Sequence, residues 1–427
     1  MATPRENPAD PPSVPAIMAP AVAKDHPLTR SFAGMLGLAF LGFMMLVCLG
    51  SLPYTLGGSE GVPRYNEGVP REGRLPPFWA PHDAGDIDRQ MLAVQALTAN
   101  DEAIAQRARE IAADAGLTLD EAYEHRDGEV FKRLRALAPD PLLGTDYLGR
   151  SLLVRVLTGG GISLGIGIAA ALLSVLIGTL YGAVAGYAGG FLDAAMMRVV
   201  DILYGLPYIL LVVLLAVAVD AAVEGWAAER VARFSAERAQ FVQNAVDEAG
   251  GSVSDERLAE LEREALASIG SGELGSGAQN AINVVTLLVA IGGVSWLTMA
   301  RVIRGQVLSL KNQPFVEAAR AIGAPRRRIF ARHLLPNLLG PVIVYATLAV
   351  PQAILQESFL SFLGIGVKPP LPSWGNLAAD GLIELNTYKS HWWLLFFPCL
   401  LLGLTLLALN FVGEGLREAF DPKRARR

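Results

Sequence analysis

Little cysteine and little charge distinguish this 427-residue sequence from that of an ordinary soluble protein. Its two cysteines, Cys48 and Cys399, each lie in a long apolar run, so neither a disulfide framework nor a cysteine metal site is expected. Charged residues make up 18% of the chain, against about 25% in typical soluble domains. With 52% apolar residues, the composition excludes disorder over most of the chain and indicates an integral membrane protein.

A basic excess and a phosphate-binding loop are also missing. The net charge is −5, so the chain lacks the basic footprint that a nucleic-acid partner requires. A phosphate-binding loop needs Gly-Lys followed by Ser or Thr, and none of the six lysines follows a glycine. No His or Met residues form a close metal-ligand cluster. We therefore expect no cofactor on this chain.

Six apolar stretches are long enough to cross a bilayer, whose core of about 30 Å requires roughly 20 helical residues. They do not alternate as β-barrel strands would, and six in one chain argue against buried helices of a soluble protein. Glycines are dense in the second stretch, which favours close helix packing in lipid. The predicted spans are Phe32–Leu52, Ser163–Tyr187, Val199–Val219, Ile282–Ile303, Leu338–Ile354 (which should extend towards Phe362) and Trp392–Val412.

The fold class predicted from these spans is all-α, a polytopic membrane protein with helical external insertions. The Pro-rich segment before the first span is followed by no small-residue cleavage site, so that span is interpreted as a retained anchor. The predicted regions are a flexible tail (1–30), the first transmembrane helix (31–52), an external segment (53–151), transmembrane helices 2 and 3 (152–222), an external hairpin (223–281), transmembrane helices 4 to 6 (282–413) with a loop at 311–337, and a tail (414–427).

The distribution of Lys and Arg predicts the orientation. The segment from Arg301 to Pro336 has eight basic residues and one acidic residue, so it belongs on the cytoplasmic side. Six spans then place both termini in the cytoplasm, and the basic residues after Pro422 agree. Segments Pro53–Ser151 and Asp220–Asn283, with net charges of −6 and −7, are predicted to lie outside.

Both external segments carry helical patterns. In the first, apolar residues repeat at helical spacing from Met91 to Ile111, and Thr118 with Glu121 makes a capping-box pattern. In the second, Gly250-Gly251 separates two helical patterns, which predicts a helical hairpin. Two interpretations stay open for these segments: a docking surface for an external partner, or a solvated insertion without a partner.

The cytoplasmic segment Phe315–Asn337 reads FVEAARAIGAPRRRIFARHLLPN. Its spacing places Phe315, Ala318, Ala319 and Ile322 on one helical face, and Gly323 can adopt the positive φ that ends a helix. A second, basic turn of helix should follow and end at Pro336. Two short helices at an elbow would form an amphipathic knob. The alternative is an interfacial helix lying on anionic lipid.

The Glu317-Ala318-Ala319 triplet, Gly323 and Leu335-Pro336 resemble the EAA loop of ABC importer permeases. Further motifs extend this resemblance to the C-type permease of the dipeptide, oligopeptide and nickel importer family, over roughly Asp140–Ala222 and Ile282–Pro422. Ser151 departs from the family pattern, which commonly has Asp there. The matching motifs are Asp140–Leu164, Ala185–Asp193, Ser358–Gly366, Pro372–Asn376 and Gly413–Pro422.

The resemblance implies a type I ABC importer permease fold in the inner membrane and one half of a translocation path. The implied partners are a homologous second permease, two cytoplasmic ATPases and an extracytoplasmic solute-binding protein, besides membrane lipid. The ATPases would bind ATP and Mg²⁺. The EAA loop would sit in a cleft of one ATPase. The coupling residues implied are Phe315, Glu317, Ala318, Ala319, Ile322, Gly323, Arg327, Arg328, Arg332 and Pro336.

A few residues inside the predicted spans are candidates for the translocation path. Pro207 should kink the third span, and Glu357 either lines the path or caps the end of the fifth span. Arg198 and Asp201 are spaced to pair at the inner boundary. A secondary transporter and a membrane-anchored signalling or assembly protein are the alternative functions, although no internal repeat is evident.

Overall fold

The computed structural model describes residues 32–59, 61–124, 128–137, 141–251, 253–386 and 389–420. Within these residues, six helices are long and apolar enough to cross a membrane, which confirms the predicted all-α, polytopic fold. A single two-stranded antiparallel ribbon, Gly58–Ser59 with Val62–Pro63, is the exception to helix among the described elements. The predicted tails at 1–30 and beyond residue 420, with the motif residues Asp140, Asp421 and Pro422, lie outside the described residues.

The helices are numbered in chain order from α1 to α15. The six candidate spanning helices are α1, α6, α8, α10, α13 and α15, and the other described helices lie in the segments between them. The bounds are α1 Phe32–Leu56, α2 Ala84–Asn100, α3 Glu102–Asp114, α4 Leu119–Glu124, α5 Gly128–Arg135, α6 Leu152–Ala188, α7 Gly190–Tyr204, α8 Tyr208–Glu248, α9 Asp255–Ile269, α10 Ser276–Leu310, α11 Pro314–Ala321, α12 Arg326–Ile329, α13 Leu335–Phe362, α14 Trp374–Ile383 and α15 Trp393–Phe420.

Helix α6 is the central helix and packs against α10, α13 and α1. Its glycines Gly178, Gly182 and Gly186 face α10: a β-carbon at Gly178 would lie 2.8 Å from the Trp296 carbonyl oxygen, and one at Gly182 would overlap α10 backbone. Gly167 makes a similar approach to α13, whereas Gly165 faces open space. The small-residue packing predicted from the sequence is therefore confirmed at most of these positions.

The predicted third span differs from the structure. Residues up to Tyr204 form α7, a separate helix at the inner boundary, and the spanning helix α8 begins at Tyr208. Pro207 is the N-cap residue of α8, so it separates two helices and does not kink one. Its ring cannot continue a helix from the preceding turn but fits the start of the next.

The fifth span also differs from the prediction at its start. Pro336 does not stop the preceding helix, because α12, a π-helical stretch at Phe330–Leu334 and α13 follow one another without a break. A proline in a helix removes one N–H and clashes with the carbonyl four residues earlier. The wider π turn immediately before Pro336 is one of the local changes that accommodate such a residue. The predicted extension to Phe362 is confirmed.

The first external segment forms a small helical unit with its own core. Met91, Val94 and Ala108 lie in that core with residues of α4 and α5. The predicted Thr118–Glu121 capping box is present, with the Thr118 N–H donating to Glu121 Oε2 at 2.8 Å. Ion pairs connect this unit to the loops around α14: Arg74 to Glu384 at 2.7 Å, and Lys389 to Asp83 at 2.6 Å and to Asp86 at 2.7 Å.

The second external segment is the predicted hairpin, but its first helix is the continuation of a span. Helix α8 has 41 residues and is about 60 Å long at 1.5 Å per residue. A bilayer core of about 30 Å contains only half of that length. Gly250 and Gly251 have positive φ and turn the chain, and α9 returns along α8 with Leu261 and Ala265 buried.

Two interhelical ion pairs connect α7 to α10. Asp193 of α7 accepts two hydrogen bonds from the Arg304 guanidinium, at 2.6 and 2.7 Å, and Asp201 pairs with Arg301 at 2.8 Å. Asp201 therefore pairs across to α10 and not with Arg198 of its own helix, as the spacing predicted. Spacing along one helix does not reveal the competing arginine on a neighbouring helix.

Candidate coupling site

Helix α11 and the turn after it form the elbow predicted for the cytoplasmic segment. Gly323 has φ of 76°, and its N–H donates to the Arg320 carbonyl at 3.0 Å while the Ala324 N–H donates to Ala319 at 3.0 Å. These bonds satisfy carbonyls at the end of α11, and the left-handed residue reverses the chain into α12. The predicted role of Gly323 in the backbone geometry is confirmed.

The buried face of α11 is not the one predicted. Val316 is completely buried and Ala319 is 4% exposed, and both pack against Ile303, Val307 and Leu338 of the spans. Ala319, expected to enter a partner's cleft, instead attaches α11 to its own subunit. The sequence analysis did not identify Val316. It lies three residues before Ala319, and this spacing could have predicted that the two share one helical face.

Polar and aromatic contacts hold the coupling site against the end of α6, in addition to its apolar contacts with α10. The Tyr187 hydroxyl donates to the Arg326 carbonyl at 2.9 Å, and the Tyr187 ring lies 5.4 Å from that of Phe330. Lys311 Nζ donates to the Gly186 carbonyl at 3.0 Å. Movement of the coupling site would therefore be transmitted directly to two spanning helices.

The outward face of this segment is apolar at its centre and basic around it. Ile322 is 84% exposed and Phe315 is 39% exposed, although both are large apolar side chains. The remaining predicted coupling residues, Glu317, Ala318, Arg327, Arg328, Arg332 and Pro336, are also exposed. Within the described residues no acidic side chain pairs with Arg327, Arg328 or Arg332. An apolar centre with a charged rim is the usual anatomy of a protein interface.

Glu357 lies elsewhere and is completely buried. Serine hydroxyls surround its carboxyl group: the Ser361 hydroxyl donates at 2.8 Å and that of Ser358 at 3.2 Å, with Ser163 and Ser373 also within hydrogen-bonding reach. These serines belong to α6, α13 and the N-cap of α14, so Glu357 joins three elements inside the subunit. A fully buried carboxyl group does not line a path along the subunit surface, and it does not cap the helix end.

A second charged cluster missed from the sequence lies at the outer end of α6. Asp146 pairs with Arg150 at 2.7 Å and with Arg155 at 2.5 Å, and all three side chains are buried. Asp380 of α14 lies 3.8 Å from Arg155. The four-residue spacing of Asp146 and Arg150 is visible in the sequence. Their burial against α14 depends on contacts between residues more than 200 positions apart in the sequence, which local spacing does not reveal.

These features define a class: a multispanning membrane protein with an interface-like knob fixed to the inner ends of its helices. A family model described as "Binding-protein-dependent transport system inner membrane component" matches residues 174–426, more than half of the chain. The chain belongs to this family. It is therefore a multispanning inner-membrane subunit of a transport system.

Individual relatives are similar over different shares of their length. The oligopeptide transport system permease protein OppC of Escherichia coli K12 is 40% identical over 302 residues, which cover 71% of this chain and 79% of that protein. OppC of Haemophilus influenzae is 53% identical over 141 residues, covering 33% and 44%. The dipeptide permease protein DppC of Bacillus subtilis is 49% identical over 141 residues, covering 33% and 43%. The chain thus spans less than half of the latter two relatives.

Proposed function

We propose that this chain is the permease subunit of an ATP-driven importer of peptides and forms one half of the translocation path. Family membership supports the transport role, and the names of the relatives support peptides as the cargo. The observation that carries the coupling role is the outward face of residues 311–337, where Ile322 and Phe315 are exposed on a segment fixed to two spans.

The partners in this proposal are a homologous second permease, two cytoplasmic ATPases and an extracytoplasmic solute-binding protein. ATP and Mg²⁺ are bound by the ATPases, because this sequence has no phosphate-binding loop. Phe315 and Ile322 insert into a cleft of one ATPase, with Arg327, Arg328 and Arg332 at its rim. Buried apolar anchors of this kind dominate interface energies, and rim charges contribute less.

The proposal requires residues 311–337 to be cytoplasmic and both chain termini to lie on that side. The excess of Lys and Arg in this segment supports the orientation. Cysteines replacing the exposed residues Ala103 and Ala236, in a background with Cys399→Ser, should react with an impermeant maleimide added outside intact cells. A cysteine replacing Gln313 should react only after the cells are permeabilised. Labelling of position 313 from outside would overturn the orientation and the coupling role.

The function itself is tested by reconstituting the chain with its second permease and ATPases in liposomes. Peptide-loaded binding protein on the outer side should drive uptake that requires ATP inside. ATP hydrolysis should rise with the concentration of loaded binding protein. Uptake driven by an ion gradient without ATP would indicate a secondary transporter instead.

A further inference from the structure

One face of α13 is polar although the helix lies in the membrane. Tyr345, Gln352 and Gln356 are separated by seven and four residues, which places them within about 40° of one another around the helix at 100° per residue. All three are exposed or half-buried on the subunit surface. Exposed positions on another spanning helix, α6, are Leu172, Leu176 and Leu180.

Polar side chains of α10 and α8 extend this face. The Tyr208 hydroxyl lies 2.8 Å from Ser295 Oγ and donates to Gln356 Oε1 at 2.8 Å. Ser295 Oγ is 3.3 Å from the same amide oxygen. Thr298, one turn from Ser295, is exposed and lines a cleft of about 190 Å³ together with Tyr208. We call Tyr208, Ser295, Thr298, Tyr345, Gln352 and Gln356 the polar face.

Part of the hydrogen-bonding capacity of the polar face is unused within the subunit. Among the described residues, the side chains of Thr298, Tyr345 and Gln352 have no hydrogen-bond partner. Amide and hydroxyl groups without partners cost several kcal/mol in hydrocarbon. This cost disfavours a surface against lipid tails and favours one that contacts water or a polar ligand.

The polar face carries no charge, and charged side chains near its two ends form ion pairs. At the inner end, Arg304 and Arg301 pair with Asp193 and Asp201. At the outer mouth, Lys368 pairs with Asp220 at 2.5 Å and lies 3.7 Å from Glu224. A solute in contact with the six residues of the polar face would therefore meet hydrogen-bonding groups and no charged side chain.

We propose that the polar face lines the solute path and binds the backbone amides of a peptide in transit. This inference rests on the proposed function and adds the recognised chemistry. A glutamine side chain, like a peptide bond, has an N–H donor and a carbonyl acceptor. Gln352 and Gln356 therefore form hydrogen bonds with the backbone of the transported peptide in place of water, and they do not recognise its side chains. Peptides of different sequence and charge therefore use the same contacts.

The test uses the full reconstituted transporter and compares Gln352→Leu and Gln356→Leu with Asn410→Leu. Asn410 is an exposed polar residue on α15, outside the polar face. Each glutamine variant should import about fivefold fewer peptides per ATP hydrolysed, the effect of losing one or two hydrogen bonds. The loss should be the same for cationic, neutral and anionic peptides, while stimulation of ATP hydrolysis by binding protein stays at the wild-type level.

A second readout does not depend on transport rates. A cysteine replacing Gln352, in the Cys399→Ser background, should react with a water-soluble thiosulfonate and be protected while peptide is being imported. A cysteine replacing Leu176 on the apolar face of α6 is the control and should not react. Wild-type import with an unreactive position 352, or glutamine variants with wild-type uptake per ATP, would overturn the polar-face inference alone. A wild-type complex that imports no peptide would instead contradict the proposed function.

Discussion

The coupling site and the external hairpin both project from the membrane, but they are attached in different ways. Residues 311–337 connect two spanning helices, and buried Val316 and Ala319 pack against α10 and α13. The hairpin is the outer half of α8 with α9 folded back on it, joined by a hydrogen bond from Arg238 to the Gly270 carbonyl at 2.5 Å. The coupling site packs on several spans, whereas the hairpin connects α8 to α10 and packs mainly within itself.

This difference matches what each surface has to do in an importer. A segment packed on two helices transmits a rigid-body shift with little loss, because packed cores are not continuously deformable. A hairpin whose two helices pack on each other can contact an external partner with less direct effect on the packing of the spans. Exposed Trp226 and Phe241 on α8, and a net charge of −7 over Asp220–Asn283, provide such a contact surface.

The largest expected effect is that of Gly323→Val, which breaks the elbow of the coupling site. A β-branched residue disfavours φ of 76°. The valine variant therefore either keeps this backbone conformation at a cost of about 1–3 kcal/mol, or changes it and displaces α12. ATPase co-purification and peptide uptake should both fall at least tenfold. Gly305→Ala is the control, since a β-carbon there meets no atom within 4 Å. Unchanged co-purification in the valine variant would mean that the elbow is not the contact.

Replacing residues 226–277 by a short Gly/Ser linker removes the hairpin and should have an intermediate effect. The membrane core should remain folded and bound to its ATPases, because the coupling site does not involve this region. Uptake by the deletion variant should fall most at low binding-protein concentration. Salt should reduce uptake more in the intact protein than in the deletion variant, as expected for electrostatic steering. Wild-type kinetics across a titration of binding protein would leave the hairpin without a docking role.

The loop after α14 should respond to acid where it contacts the first external segment. The hydrogen bond from Arg74 lowers the pKa of Glu384, and burial lowers the pKa of His391, which contacts Glu384 at 3.0 Å. This loop therefore binds more protons when it is unfolded, so its stability falls as the pH drops below about 6.5 for His391 and further below about 4.3 for Glu384. Hydrogen exchange, corrected for intrinsic rates, should speed up between pH 7 and 5 at the His391 amide, which donates to the Glu384 carbonyl at 3.3 Å. An unchanged rate would contradict this assignment.

The smallest expected effect is that of Arg326→Ala at the edge of the coupling site. The Arg326 side chain is exposed, and a rim charge contributes about 0–1 kcal/mol. Its backbone carbonyl still accepts from Tyr187 in the alanine variant. Co-purification should change less than about fivefold and should recover at low salt. A loss as large as that of Gly323→Val would show that charge, and not the apolar centre, dominates this interface.

Local patterns predicted much of the fold, and long-range packing explains the rest. Span number, the Gly250-Gly251 turn and the positive φ of Gly323 each depend on a few neighbouring residues, and each is confirmed. The burial of Ala319 and Glu357 depends on spans distant in sequence, so helical spacing alone gave the wrong environment. Pro207 and Pro336 showed where helix geometry changes, but not whether a break or a π turn would result.

The most direct test places a photocrosslinking phenylalanine analogue at Ile322 in the assembled transporter. Ile322 is 84% exposed at the centre of the coupling site, and Phe241 in the hairpin is 38% exposed and serves as the matched position outside. The analogue at position 322 should crosslink to an ATPase subunit, and at position 241 to a protein outside the membrane. Crosslinking of position 322 to lipid alone, or to the external binding protein, would contradict the account.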